Sequence, residues 1–346
     1  MKGDKYCQTI HKKAMLISVI IVAYNRKKYL VKALNSILNQ GVGRDNYEII
    51  VVKNFKDEKI DSFIESIDAK NIFTQEITLG AKLKIGIEAS KGEVLTFLED
   101  DDLFFVGKLE FLIEKFRKQD LCFIHNEYFY INEKGEEIKL GNKYKLKSPI
   151  SKKGADDIYS FLRKSIRAQG FFNLSCISVK KSILTAKSLV LLKEMQIAAD
   201  NFMFYVACDS KMDVLITNET YTGYRVHNEN ASFYIERKLP TFIRKKIKFF
   251  TSNILGYDLI DNIINDPEIK LFLTSRKHMS YLAYDILTKG EMPTKYKVTF
   301  FQFCKSCSIT RSWELSALFI TLKFSRLFPN LAKQIYFLYE KMKFTP

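Results

Sequence analysis

Val94-Leu95-Thr96-Phe97-Leu98-Glu99-Asp100-Asp101-Asp102 passes from an apolar segment of strand length straight into four acidic side chains. Carboxylates placed this close repel one another unless positive charge sits among them. Beyond a buried strand end, a divalent cation with oxygen ligands, completed by substrate phosphates, is one solution. A solvated acidic turn is the plain alternative. The flanking segments weigh between the two. Ile17 to Ala23 is a nearly continuous, β-branched apolar run, the pattern of a strand buried on both faces. It ends at Tyr24-Asn25-Arg26, and Leu30, Leu34, Ile37 and Leu38 then recur at helical spacing. Glu48 to Val52 predicts a second buried strand and Ile72 to Ile77 a shorter third. Leu79-Gly80 opens another helix with Leu83 and Ile87 on one face, and Gly92 reads as its C-terminal residue. After the acidic cluster, Leu109, Leu112, Ile113 and Phe116 mark an amphipathic helix.

This alternation argues for an α/β domain with a Rossmann-like, mostly parallel sheet flanked by helices. In such sheets ligands collect beyond the carboxyl ends of the strands, where both Tyr24-Asn25 and the acidic cluster fall. Further along, Leu121 to Tyr130 reads as a strand closed by a turn at Glu133-Lys134-Gly135, and Lys143 to Lys153 as a solvated loop. Phe171 to Val179 is strand-like. A helix containing Asp200 to Val206 follows, then a strand from Asp213 to Ile216.

With 346 residues, nearly half of them hydrophobic, the chain has material for a sizeable core and for one large domain plus an extension. The formal charge of +16 points to anionic partners: phosphorylated ligands, an acidic membrane surface or nucleic acid. No nucleic-acid recognition motif is present. The six cysteines form no disulfide framework; Cys304 and Cys307 make one CxxC without a second ligand pair, and packing is the expectation for them. Met1 to Ala14 is polar and basic, and no stretch has the length of a membrane-spanning helix, so a cytoplasmic protein is expected. From about Leu239 the character changes. Arg244-Lys245-Lys246-Ile247-Lys248 lies among Phe242, Phe249 and Phe250, and Leu315, Leu318, Phe319 and Leu322 lie close to Lys323 and Arg326. This last third holds roughly nine of the excess positive charges. Such helices suit either a membrane interface or packing against the rest of the chain.

Five landmarks in order carry a family resemblance. They are Val19 to Arg26 with Ser36 to Gln40; Tyr47 to Val52; Gly86-Ile87 with Lys91-Gly92-Glu93; the acidic cluster; and Ala199-Asp200-Asn201 followed by Tyr224-Arg225-Val226-His227 and Ser232. Over roughly residues 16 to 235 the chain resembles the family 2 glycosyltransferases of the GT-A fold. The resemblance implies a GT-A catalytic domain over 1–238 with a C-terminal helical extension over 239–346. It also implies a nucleotide-sugar donor, with a UDP-sugar favoured, a Mn2+ or Mg2+ ion, and a saccharide or lipid-linked glycan as acceptor, at the inner face of the cell membrane if the association is peripheral.

By the same resemblance Asp101 binds the metal, with His227 as a second candidate ligand. Ala23, Tyr24, Asn25, Arg26, Asp100 and Arg225 join the donor site. Glu99 stands where the family more often has Asp; one methylene longer, it reaches toward the ribose or a metal-bound water, and Asp102 toward the acceptor or a water beyond the metal's own ligands. Asp200 is the general base of an inverting displacement without a covalent intermediate. Two departures matter. Lys53-Asn54 replaces an Asp-Asp pair, leaving Asn54 to meet the base and Lys53 as a solvated side chain. Gly80-Ala81-Lys82-Leu83-Lys84 replaces an Ala-Arg-Asn element, making Lys82 and Lys84 candidates for the diphosphate. His125 and Asn126 are expected to be structural. The rival from another class is a non-catalytic protein of the same fold, acting as a glycan-binding or membrane-surface assembly factor.

Overall fold

A computed structural model of the chain describes residues 15–140, 146–227, 238–288, 297–325 and 327–342. The elements run β1 (Ile17–Ala23), α1 (Leu30–Leu38), β2 (Tyr47–Lys53), α2 (Glu58–Ser66), β3 (Lys70–Phe73), α3 (Leu79–Ala89), β4 (Val94–Glu99), β5 (Leu103–Phe104) and α4 (Lys108–Lys118). They continue with β6 (Leu121–Ile131), β7 (Glu137–Ile138), β8 (Ile150–Ser151), α5 (Ile158–Arg167), β9 (Ile177–Lys180), α6 (Ala186–Lys193), α7 (Ala199–Asp209) and β10 (Asp213–Arg225). Five helices close the chain: α8 (Leu239–Asp261), α9 (Pro267–Thr288), α10 (Phe300–Thr310), α11 (Trp313–Ser325) and α12 (Pro329–Met342).

The main sheet has the order β3-β2-β1-β4-β9-β6-β10-β5, with β7 beside β6 and β8 beside β10. Its first four strands are parallel, and β9 enters antiparallel to both β4 and β6, so the sheet is mixed. Alternate residues of β1 serve opposite layers. Ile20 joins Ile50, Val52 and Phe97 against α3 and α7, while Val19 and Ile21 join Val51 and Leu98 against α1, α2 and α4. Burial on both faces is why these strands read as unbroken apolar runs. The register sets Ala23 beside Lys53 and Val22 beside Glu99, so the loops after β1, β2 and β4 emerge along one edge.

Several local expectations are corrected. The third strand covers Lys70–Phe73 and stops before Ile77, whose side chain is exposed. Phe171 to Val179 is a strand only from Ile177; Leu174–Cys176 forms a 3-10 turn, preceded by Asn173 with φ 69°. Within Lys143 to Lys153, residues 143–145 lie outside the described residues, and Ile150-Ser151 pairs with β10. Gly92 does not cap α3, which ends at Ala89 with Ser90 as its cap. It lies where the chain crosses the start of β1, and a Cβ there would sit 2.6 Å from the Ser18 hydroxyl and 2.8 Å from the Leu16 carbonyl oxygen. Glu48 fixes the crossing, accepting from the Ser18 hydroxyl at 2.7 Å and the Gly92 N–H at 3.3 Å. Cys307 packs beside the α10–α11 cluster, whereas Cys304 is exposed.

The basic final helices fold back onto the sheet domain. Ile260, Ile264, Ile269, Phe272 and Leu273 share one core with Phe202 to Cys208 of α7. Phe242, Phe250, Leu315 and Leu322, which the sequence offers to a membrane, are buried. Pro267 starts α9 where its missing N–H costs nothing. Asp266 caps that helix by accepting from the N–H groups of Glu268 and Ile269.

Two glycines separate steric from conformational constraint. A Cβ on Gly80 would fall 1.7 Å from the Leu192 carbonyl oxygen, so Gly80→Ala must part α3 from α6. Gly41 has φ +72° and open space around it. Urea unfolding should show a loss of roughly 2–3 kcal/mol for Gly80→Ala and about 1 kcal/mol for Gly41→Ala. Equal losses would refute the close α3–α6 contact.

Candidate active site

The site forms where β1, β2, β4 and β10 end together. Asp100, Asp101 and Asp102 are all buried in this edge, so each carboxylate needs partners within the protein. Arg26, from the loop after β1, supplies a fork: one guanidinium nitrogen donates to Asp100 Oδ1 at 2.5 Å and the other to Asp101 Oδ2 at 2.6 Å. His227 Nε2 also lies 2.8 Å from Asp101 Oδ2. Asp102 Oδ1 accepts the backbone N–H of Arg225 and its Oδ2 the side-chain amide of Asn173, both at 2.9 Å. Asp100 Oδ2 is buried without a hydrogen-bond partner. Desolvation, reinforced by the Asp101 charge, pushes both Asp100 and Asp102 up to about 7. Desolvation and the neighbouring Asp102 and Asp101 raise the Glu99 carboxyl as well.

The other candidates divide into those that join this edge and those with partners elsewhere. Asn25 and Asn54 bind each other: the Asn25 N–H donates to Asn54 Oδ1, and the Asn54 amide to Asn25 Oδ1, both at 2.8 Å. Asn25 adopts φ 54°, a left-handed conformation that asparagine tolerates better than most residues. Ala23 is buried as the last residue of β1, and Tyr24 beside it is 47% exposed, its ring under the Lys82 ammonium at 4.6 Å. Lys82 itself is buried and donates to the Ile77 carbonyl at 2.8 Å. Lys84 pairs with Glu88 one turn along α3, at 2.6 Å. Arg225 is wholly buried. Its Nε donates to the Asp101 carbonyl and its Nη1 to the carbonyls of Asn132 and Glu133, with the guanidinium 4.6 Å from the centre of the Tyr29 ring.

Lys53 requires a correction, because it is not solvated. Its ammonium lies 2.6 Å from Asp61 Oδ1 and donates to the Phe55 carbonyl, which lets the end of β2 bury it. His125 and Asn126 hold structural bonds, to the Phe172 carbonyl and the Thr222 hydroxyl respectively. Ser232 lies outside the described residues.

Asp200 stands in the first turn of α7, after Ala198 in a left-handed conformation. Its Oδ1 accepts the Asn201 N–H at 2.8 Å, and the Asn173 N–H favours the ionised form as well. Burial outweighs these bonds and pushes Asp200 up to about 6. Asp200 and Glu99 line one cavity of about 850 Å³, together with Asn173, Tyr224 and side chains of α8, α9, α11 and α12.

Three site residues escaped the sequence reading. Asn173 bridges Asp102 and Asp200, and its Oδ1 accepts the Ser175 N–H at 2.7 Å. The Ser175 hydroxyl in turn accepts the Glu99 N–H at 2.9 Å. Both reach the cluster because β9 runs antiparallel to β4, which brings the residues before β9 to the end of β4. The one signal available was a pair of polar residues inside an otherwise apolar stretch. Lys108 lies fully buried below, its ammonium on the Ser175 carbonyl and 3.8 Å from the centre of the Phe104 ring; burial pushes it down to about 7.

Among the described residues no three His, Cys, Asp or Glu side chains converge as a metal cage. Asp101 and His227 do converge, and beside them Asp100 Oδ2 is a buried oxygen without a partner. This donor set fits an ion held by few protein ligands and completed by phosphate oxygens, the ordinary arrangement for Mg2+.

The family model for glycosyl transferase family 2 matches residues 18–180. An uncharacterised glycosyltransferase of Haemophilus influenzae is 28% identical over 211 residues, 54% of this chain and 83% of that protein. One from Rickettsia bellii is 32% identical over 130 residues, 36% of this chain but only 19% of the relative's length. In three dimensions the chain resembles Staphylococcus aureus TarS 1–349, crystallised in complex with UDP and with UDP-GlcNAc. Each comparison has a TM-score of 0.50 and covers 90% of this chain and 91% of that one, at 12% and 11% identity respectively. The family match and the relatives agree that residues 18–180 form a glycosyl transferase family 2 domain, and the likeness to TarS agrees with its fold.

Proposed function

We propose that this protein transfers a sugar from a nucleotide-sugar donor to a saccharide or lipid-linked glycan acceptor, by an inverting displacement with Asp200 as general base. The observation that carries the proposal is one cavity with Glu99, at the edge of the acidic cluster, and Asp200 both on its wall. A UDP-sugar is the favoured donor, supported by the UDP and UDP-GlcNAc complexes of TarS, which shares the fold. Residues 1–238 are the catalytic unit, and the extension 239–346 contributes the acceptor side of the cavity.

The chemistry divides among named groups. Asp101 and His227 would hold Mn2+ or Mg2+, which offsets negative charge on a departing diphosphate. Arg26, already paired with Asp100 and Asp101, is placed to turn its guanidinium toward phosphate as the donor arrives. Asn54 keeps a second lone pair on its carbonyl oxygen for a base N–H while bound to Asn25. Asp200 takes the proton of the acceptor hydroxyl. Asn173 holds Asp102 and Asp200 in fixed relation, a positioning role. The same Arg26 bridge gives the non-catalytic reading its one foothold, because it satisfies the acidic edge without donor or metal.

Nucleotide release from UDP-sugars, with Mn2+ or Mg2+ and a panel of glycan acceptors, tests the proposal. Asp200→Asn should lower kcat by roughly 10²–10⁴-fold with little change in donor KM. Asp101→Asn should weaken metal activation, and EDTA should abolish turnover; wild-type rates in both substitutions would sink the mechanism. Because Asp200 is raised to about 6 and works as a carboxylate, kcat should rise with pH through that value and fall below it. Asn173→Ala should lower kcat on the order of tenfold and move this acid limb, since losing its side-chain bonds to Asp102 and Ser175 releases the turn that aims its backbone N–H at Asp200. An unmoved limb would reduce Asn173 to a structural part.

A further inference from the structure

The extension presents an apolar face that the core does not use. On α12, Ala332 and Tyr336 are buried against α8, α9 and α11, yet Leu331, Ile335 and Leu338 are 46%, 43% and 57% exposed. Their i, i+4, i+7 spacing makes one continuous stripe. Leu327 and Phe328 extend it at the start of the helix. Exposed apolar surface this continuous marks an interaction site more often than an accident of composition.

Two observations select the occupant. First, the surface is continuous with the mouth of the cavity that holds Asp200. Ile335 lines that cavity, as does Trp313, the only tryptophan of the chain, which is 67% exposed and meets Tyr339 edge to face at 6.0 Å. Secondly, the stripe sits in the basic part of the chain. Residues 239–346 carry roughly nine excess positive charges, including exposed Lys323 and Lys341 and the Arg244 and Lys333 pair that lines a groove between α8 and α12. A second copy docked face to face on this surface would bring like charges together. An anionic lipid surface would take the apolar stripe into its headgroup boundary and meet the lysines with charge of opposite sign. No helix among the described residues is long and apolar enough to cross a membrane, so the contact is interfacial.

We propose that the Leu331–Ile335–Leu338 face of α12 docks on an anionic bilayer and sets the cavity mouth against the headgroups, so that the acceptor is a saccharide carried on a membrane lipid. This rests on the glycosyltransferase reading and narrows its acceptor class. The interfacial face differs from the one suggested by the sequence, because Phe242, Phe250, Leu315 and Leu322 point inward.

Flotation with phosphatidylcholine vesicles, with and without phosphatidylglycerol, tests it on the full chain. The wild type should float with phosphatidylglycerol vesicles and much less at high salt. The double variant L331D/L338D, in side chains that line no part of the cavity, should bind on the order of tenfold less while keeping wild-type UDP affinity and circular dichroism. K341E should weaken binding more modestly. Equal flotation of the double variant, no flotation of the wild type, or a wild-type dimer that the double variant converts to monomer would each overturn the proposal. UDP binding is read separately: its absence from the wild type would count against the donor site and leave the flotation result standing.

Discussion

Three consecutive aspartates buried at a strand end are the constraint around which this molecule is arranged. Uncompensated, each would be driven to its neutral form or would destabilise the fold by several kcal/mol. The compensation comes from three distant parts of the chain. Arg26 follows β1, Asn173 precedes β9, Arg225 ends β10 and His227 lies just beyond it. Meeting the needs of one acidic edge therefore fixes how the strand ends come together. Desolvation, and then the neighbouring carboxylates, still raise the carboxyls of Glu99, Asp100 and Asp102. Such an edge is compatible with the cation and phosphorylated donor of the proposed function.

Burial also divides the basic residues by role. Lys53, Lys82, Lys108 and Arg225 are largely withdrawn from solvent and engaged with carbonyls, a carboxylate or aromatic rings. They brace the scaffold below and beside the site. Arg26 is different, since it remains partly exposed at the rim of the acidic edge. The positive charge of the sequence is thus two populations: a buried set that holds strand ends, and a solvent-facing set spread over the sheet domain and the helical extension.

That extension shares a core with α7, the helix that carries Asp200. Packing between α7 and α8–α9 therefore bears directly on where the proposed base points. The same helices close one side of the cavity, so the groups that would meet an acceptor come from a region lying outside the shared family pattern.

Much of the catalytic unit was legible because its strands are buried on both faces and must be written as unbroken apolar runs. β1, β2 and β4, the acidic cluster at the end of β4 and Asp200 at the start of a helix all follow from local pattern. Local pattern is silent about partners. Nothing near Lys53 in sequence announces Asp61 as its counter-ion, and nothing near Asn173 announces Asp102 and Asp200. The pairings of Asn173 arise because β9 enters the sheet antiparallel, a long-range event with no periodic signature. Likewise the sequence marked 239–346 as basic and apolar, but an amphipathic helix with two apolar faces does not say which one is covered. The sequence by itself determined the strands, the charge and the chemistry available. Only tertiary packing decided which charges are neutralised, which residues bridge the proposed base to the acidic edge, and which apolar face is left outside, because burial and electrostatic compensation depend on neighbours far apart along the chain.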